Sequence, residues 1–191
     1  MAHPLGHGER MDSDDRPAPE VPTHVLLGSF IRSGQDPLHE LIRGARSGDE
    51  DAVDRLLNAV RDAAGSAWGD IADAVVVAVP GHLEGGAIGL VTAMARVVAE
   101  ARGWSVATDD LGRARAVGEA KAGDARDTAA ELESLAWRAG AASSAEVIVL
   151  VDDVVRSGET LRACVAAIRA AGDPRRVVAV VAAQAEFSTG D

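Results

Sequence analysis

The sequence predicts an α/β fold: a mostly parallel sheet of about five strands with helices on its faces. Three observations point there. Two uninterrupted apolar runs, A-V-V-V-A-V-P from Ala74 to Pro80 and V-I-V-L-V from Val147 to Val151, lack the apolar/polar alternation of a one-sided sheet. They read as strands covered on both faces, as parallel strands are. Each is followed by a segment of helical periodicity and then a further apolar run, which is the pattern of a βαβ unit. The chain has 191 residues, 47% of them apolar, enough for one domain with a substantial core and cramped for two.

Taken in order, residues 1–22 are rich in Asp, Pro and Gly without periodicity, and are expected to form an acidic tail that buries too little surface to offset its ordering entropy. The folded domain is expected over residues 23–191. His24 to Ile31, H-V-L-L-G-S-F-I, suits a short strand. Asp36 and Pro37 then supply an N-cap and a first-turn residue for a helix whose Leu38, Leu41, Ile42 and Ala45 recur at i, i+3, i+4, i+7. A second helix is expected from Asp49 to Ala64, with Val53, Leu56, Leu57 and Val60 on its buried face. Together the two helices read as an N-terminal layer preceding the sheet.

After the strand at Ala74–Pro80 and the loop Gly81 to Gly86, Ala87 to Ala101 reads as a helix and Trp104 to Ala107 as a short strand. Between the two βαβ units lies Asp109 to Gly140, rich in charge and glycine, with a late helical pattern around Leu132, Leu135 and Ala136. A segment of this length is either a lid or a solvated connection. The second unit runs through a strand at Glu146–Val151, a helix at Glu159–Ala171 stopped by Gly172-Asp173-Pro174, and a last strand at Arg175–Ala183.

The formal net charge is −11, so direct nucleic-acid binding is not expected, because a basic groove would work against the mean field of the protein. The single cysteine, Cys164, excludes an intrachain disulfide and any multi-cysteine zinc site. Its spacing from Leu161, Val165 and Ile168 places it in a core. No apolar segment approaches the ~20 residues of a membrane span and no signal-peptide pattern appears, so a cytoplasmic protein with no membrane partner is expected. Trp68, Trp104 and Trp137 are scattered and read as packing residues.

The chemistry concentrates in Val147 to Leu161, V-I-V-L-V-D-D-V-V-R-S-G-E-T-L. A buried strand ends in adjacent carboxylates, Asp152 and Asp153, and a Ser/Gly turn leads into a helix. Ligands of open α/β sheets gather at the carboxyl ends of strands, and a helix start offers unpaired N–H groups and a positive dipole end to an anion. A sugar phosphate suits both halves, with carboxylates for hydroxyls and the loop for phosphate.

This run resembles the phosphoribosyl-pyrophosphate (PRPP) signature of type I phosphoribosyltransferases. The order of the remaining segments is similar to the ComF-like branch: S-F-I-R-S-G-Q-D-P-L-H-E-L-I-R-G-A-R-S-G-D from Ser29, V-V-V-A-V-P-G-H from Val75, and L-G-R-A-R from Leu111. The resemblance implies a Rossmann-type parallel sheet flanked by helices with a small N-terminal helical hood. It implies transfer of a phosphoribosyl group from PRPP to a nitrogen nucleophile on an unidentified small-molecule acceptor, with Mg²⁺ and release of pyrophosphate. Asp152 and Asp153 would hold the ribose and place Mg²⁺, and Val154, Val155, Arg156, Ser157, Gly158, Glu159 and Thr160 would form the phosphate loop. Arg156, standing where small residues are usual, either contacts the phosphate or points to solvent.

The loop after the first core strand would hold pyrophosphate. Here it offers Gly81 and His82, no Lys or Arg, and an opposing Glu84, so Arg113, Arg115, Lys121 and Arg126 become the candidates to bring charge from a closing lid. The alternative reading is a PRPP-binding regulatory or competence-type accessory protein that turns nothing over. Association into a homodimer is compatible with either. No G-x-x-x-x-G-K-[ST], H-E-x-x-H or G-x-S-x-G motif is present, and no G-x-G-x-x-G follows either main strand.

Overall fold

The computed structural model describes residues 21–31, 36–66, 68–81, 89–107, 109–114, 134–138 and 144–186. They form an α/β fold whose central sheet is parallel. In chain order the elements are β1 (Thr23–Val25), β2 (Ser29–Ile31), α1 (Pro37–Arg46), α2 (Glu50–Ser66), β3 (Ala74–Ala78), α3 (Gly89–Arg102), β4 (Ser105–Val106), β5 (Leu111–Arg113), β6 (Leu135–Trp137), β7 (Val147–Val155), α4 (Glu159–Ala170) and β8 (Arg176–Glu186). The strands stand in the order β1-β8-β7-β3-β4, with β2 on the same flank of β8 as β1. β5 and β6 form a separate antiparallel pair.

The first strand expected from the sequence is therefore two. Between the register pairs Val25↔Val181 and Ser29↔Gln184 the edge advances four residues and β8 three, so one residue is extra. Gly28, at φ 110°, takes up the bulge in a backbone conformation that a side chain would strain. Val21 and Pro22, assigned by composition to the tail, dock on the sheet: the Pro22 carbonyl accepts from Ala179 N–H at 2.8 Å, and Val21 packs on the core. Residues 1–20 lie outside the described residues.

Strand alternation divides the core into two layers. One side of β7, Val149 and Val151, packs with Val76, Ala78, Val178 and Val180 under α1, α2 and α3, where Ile42, Leu56, Val60 and Met94 are buried. The other side, Ile148 and Leu150, packs with Val75, Val77 and Val181 under α4 and the β5–β6 pair, and holds Cys164 fully buried. The two N-terminal helices are thus part of one face of the sheet and share their core with α3.

α1 begins as its sequence dictates. Asp36 accepts from the N–H groups of Leu38 (2.8 Å) and His39 (3.3 Å), and Pro37 occupies the first turn. Asp36→Ala is expected to cost ~1 kcal/mol, a drop of about 2–4 °C in Tm for a domain of this size. Thermal and urea unfolding of the variant check this.

Leu135 and Ala136, read as helical from their spacing, lie instead in β6 opposite Arg113 and Gly112. Their environment overrides the local period: Leu135 and Trp137 alternate into the core with Leu111, a period-2 pattern too short to recognise in three residues. Leu132 lies outside the described residues. The β5–β6 pair is tied to the α4–β8 turn by Asp173, which accepts from Trp137 Nε1 at 3.2 Å and from the Arg175 guanidinium at 2.5 Å. Arg175 holds the Asp173 carboxyl down to about 2. Gly172 closes α4 at φ 80°, the conformation expected of a glycine past a helix end.

Candidate functional site

The direction of the connections sets where the site lies. From β3 the chain crosses outward to β4, and from β7 it crosses the opposite way to β8, so the order reverses between β3 and β7. A crevice forms at the carboxyl ends of strands at such a switch point. Gly81 and the Asp152-Asp153 pair stand at those two ends, and Val79 N–H binds the Val151 carbonyl at 2.8 Å to join them.

The acid pair lies inside β7, which continues to Val155 and does not stop at Val151 as the loss of apolar residues suggested. The register continues through Asp152↔Val181, Val154↔Ala183 and Val155↔Gln184. Asp153 turns toward the α1 layer, where Arg46 meets it, and the Asp152 carboxyl lies within hydrogen-bonding reach of the Asp153 side chain, so the two acids form one cluster at the sheet end. The strict alternation of β7 is lost around them: Val154 packs with the Val149 and Val151 layer and Val155 with the Ile148 and Leu150 layer.

Asp153 is 4% exposed and is paired to a residue 107 positions earlier. Arg46, the last residue of α1, donates Nε to Oδ2 at 2.5 Å and Nη2 to Oδ1 at 2.6 Å. This bidentate geometry is the strong form of such a pair, and it raises the Arg46 guanidinium further. Asp152 keeps part of its surface exposed, and its Oδ1 accepts from Asp153 N–H at 2.8 Å. Burial pushes its carboxyl up to about 8, and the neighbouring Asp153 charge pushes the same way.

Of the expected phosphate loop, Val154 and Val155 belong to β7, and Glu159 and Thr160 to the first turn of α4. The turn itself is Arg156-Ser157-Gly158. Gly158 sits at φ 75°, and a Cβ placed there would come 3.3 Å from Arg162 Nη1. Backbone conformation favours glycine here, and any side chain would also have to push the Arg162 guanidinium aside by a few tenths of an ångström. Ser157 donates its hydroxyl to Glu159 at 3.2 Å. A cleft of about 200 Å³ opens here, lined by Arg156, Ser157, Gly158 and Arg162 on one side and by Thr23 and Gln184 on the other. Arg162 was not singled out in the sequence. Its signal was its place one helical turn beyond Gly158.

At the β3 end, Gly81 is described and His82 is not, nor are Arg115, Lys121 and Arg126. Arg113 is 4% exposed on β5 and donates Nε to the Gly81 carbonyl and Nη1 to the Ser134 hydroxyl. A cation therefore does stand at the base of the basic-poor loop, anchoring its backbone from within the fold. Among the described residues no group of three or more His, Cys, Asp or Glu side chains gathers as a metal site, and no helix is long and apolar enough to cross a membrane.

The arrangement combines a partly exposed carboxyl, a second carboxylate paired to arginine, and a glycine turn at a helix N-terminus with the Arg162 guanidinium over it, in a cleft that Arg156 also lines. It suits a ligand with vicinal hydroxyls at one end and a phosphate at the other. Comparison with known proteins adds no name to this: no protein-family model matches the chain, and no curated protein matches it.

Proposed function

We propose that this chain is a type I phosphoribosyltransferase of the ComF-like kind, transferring a phosphoribosyl group from PRPP to a nitrogen nucleophile with Mg²⁺. The observation that carries the reading is the placement of the Asp152-Asp153 pair beside the carboxyl end of β3, at the switch point between β3 and β7, while the Arg156-Ser157-Gly158 turn opens α4 directly beyond.

In this reading the 5-phosphate lies against the N–H groups at the start of α4, where the helix dipole and the Arg156 and Arg162 guanidinium groups favour an anion. Gly158 lets the backbone approach it. The phosphate replaces the Ser157–Glu159 contact, and Arg162, whose guanidinium lies over Gly158, offsets the Glu159 charge. Asp152 accepts from a ribose hydroxyl at the crevice, and Asp153, oriented by Arg46, lies beside it.

Mg²⁺ fits this acid pair, since a buried carboxylate whose ionisation is disfavoured gains from a cation, and Mg²⁺ is commonly bound by one or two carboxylates together with substrate phosphates. When bound it would neutralise charge on the departing pyrophosphate. At C1 the new C–N bond forms as the C–O bond breaks, the electron pair leaves with pyrophosphate, and the nucleophile passes its proton to the departing pyrophosphate or to water. The protein contributes positioning and water exclusion.

Two observations favour a second reading, a PRPP-binding regulator without turnover: Arg46 already neutralises Asp153, and Arg113, which among the described residues bonds to Gly81, is buried in structural bonds. Calorimetric titration with PRPP in Mg²⁺, followed by assay of pyrophosphate release over a panel of amine and nucleobase acceptors, tests both. Binding with release supports the transferase, binding with no release the regulator, and no binding removes both.

A further inference from the structure

Arg46 differs from the other residues of the site in where it comes from and how it is held. It reaches the end of β7 from the C-terminus of α1, and both of its terminal bonds go to one carboxylate. Its side chain is 49% exposed while that of Asp153 is 6% exposed. The mobile partner of the pair is therefore the arginine. Water and a long flexible stem let Arg46 depart at modest desolvation cost, whereas Asp153 cannot follow or become hydrated where it stands. If Arg46 leaves, another positive charge has to take its place.

We propose that Arg46 is a built-in counter-ion that reserves Asp153 against free divalent cations, so that a metal enters the acid pair only in company with an anionic ligand that draws Arg46 away. With Arg46 in place, the three side chains of Arg46, Asp152 and Asp153 carry at most one net negative charge; without it they carry up to two, the second developing as an arriving metal displaces the Asp152 proton. A divalent cation arriving alone meets the guanidinium directly. One arriving with a diphosphate brings the oxygens to which a guanidinium fork binds well. Arg46 is then a positioning residue that couples α1 to the ligand.

This deepens the proposed metal-assisted sugar-diphosphate site and rests on that reading, and its test uses the metal alone. Free Mn²⁺ is followed by electron paramagnetic resonance during titration of the wild-type chain, Arg46→Gln, Arg46→Lys and Arg46→Gln/Asp153→Asn. Arg46→Gln is expected to bind Mn²⁺ roughly tenfold more tightly than wild type, since one like charge beside the ion is gone. The gain disappears when Asp153→Asn is added. Arg46→Lys, which keeps the charge and loses the fork, gains about threefold.

Unchanged affinity in Arg46→Gln, or a gain that survives Asp153→Asn, overturns the proposal. Should Arg46→Gln fail to fold, Arg46→Lys decides alone, and no gain there overturns it. Failure of the wild-type chain to bind PRPP would remove the functional reading while leaving the Mn²⁺ comparison to decide whether Arg46 guards the acid pair.

Discussion

Asp152→Asn is expected to make the protein more stable and less able to bind PRPP. The carboxyl of Asp152 is raised from the ordinary range of about 4 to about 8, chiefly by burial and then by Asp153. A raised carboxyl favours the protonated form in the folded state, so its contribution to stability is fully present below the unfolded value near 4 and is lost as pH rises toward 8. At pH 7 the wild-type chain carries this cost and the amide does not. Part of Asp152 is exposed to water, which screens the effect, so the gain is set at ~1 kcal/mol, about 2–4 °C in Tm for a chain of this length.

The pH profile is the sharper check: the Tm difference between Asp152→Asn and wild type should shrink toward pH 4 and widen toward pH 8. Binding should move the other way. Loss of a carboxyl that a bound metal would hold ionised beside a ribose hydroxyl is expected to weaken PRPP binding in Mg²⁺ by about 10- to 100-fold. A variant that loses stability across this range contradicts the burial argument; one that binds PRPP like wild type contradicts the site assignment.

Arg113→Ala is expected to give the largest destabilisation, about 2–4 kcal/mol, because the Gly81 carbonyl and the Ser134 hydroxyl each lose a donor in a buried setting, at ~1–3 kcal/mol apiece. Arg113→Lys should recover little of it, since one ammonium cannot reach both acceptors as a guanidinium fork does. Urea denaturation of the three proteins measures this. A lid cation would behave differently. Its removal would leave stability within ~0.5 kcal/mol and weaken pyrophosphate binding alone, so an Arg113→Ala protein of unchanged stability would return Arg113 to that role.

Much of the architecture was legible because it rests on local patterns. The apolar runs that became β3 and β7 have no polar alternation, and strands buried on both faces need none. Asp36-Pro37 and Gly172 mark helix ends through their own backbone and side-chain chemistry, with no help from distant residues. Elements whose shape depends on a partner were read less well. β6 is three residues long and is a strand because β5 lies beside it. β7 runs past its apolar segment because β8 supplies hydrogen bonds to Val155, carrying the acid pair into the sheet.

The sequence by itself determined the α/β class, the helix boundaries at Asp36 and Gly172, and the juxtaposition of two carboxylates with a Gly-containing helix start, since each follows from residues within one or two turns of one another. Only the tertiary structure decided that the two carboxylates lie within β7, that Arg46 pairs with Asp153, that Arg162 folds over Gly158, and that Arg113 is buried under the Gly81 carbonyl. Pairings across 107 positions, or between β5 and a glycine 32 residues away, are set by how strands are ordered and faces are packed. No local pattern carries that order, because it is the burial of whole faces against one another that selects it.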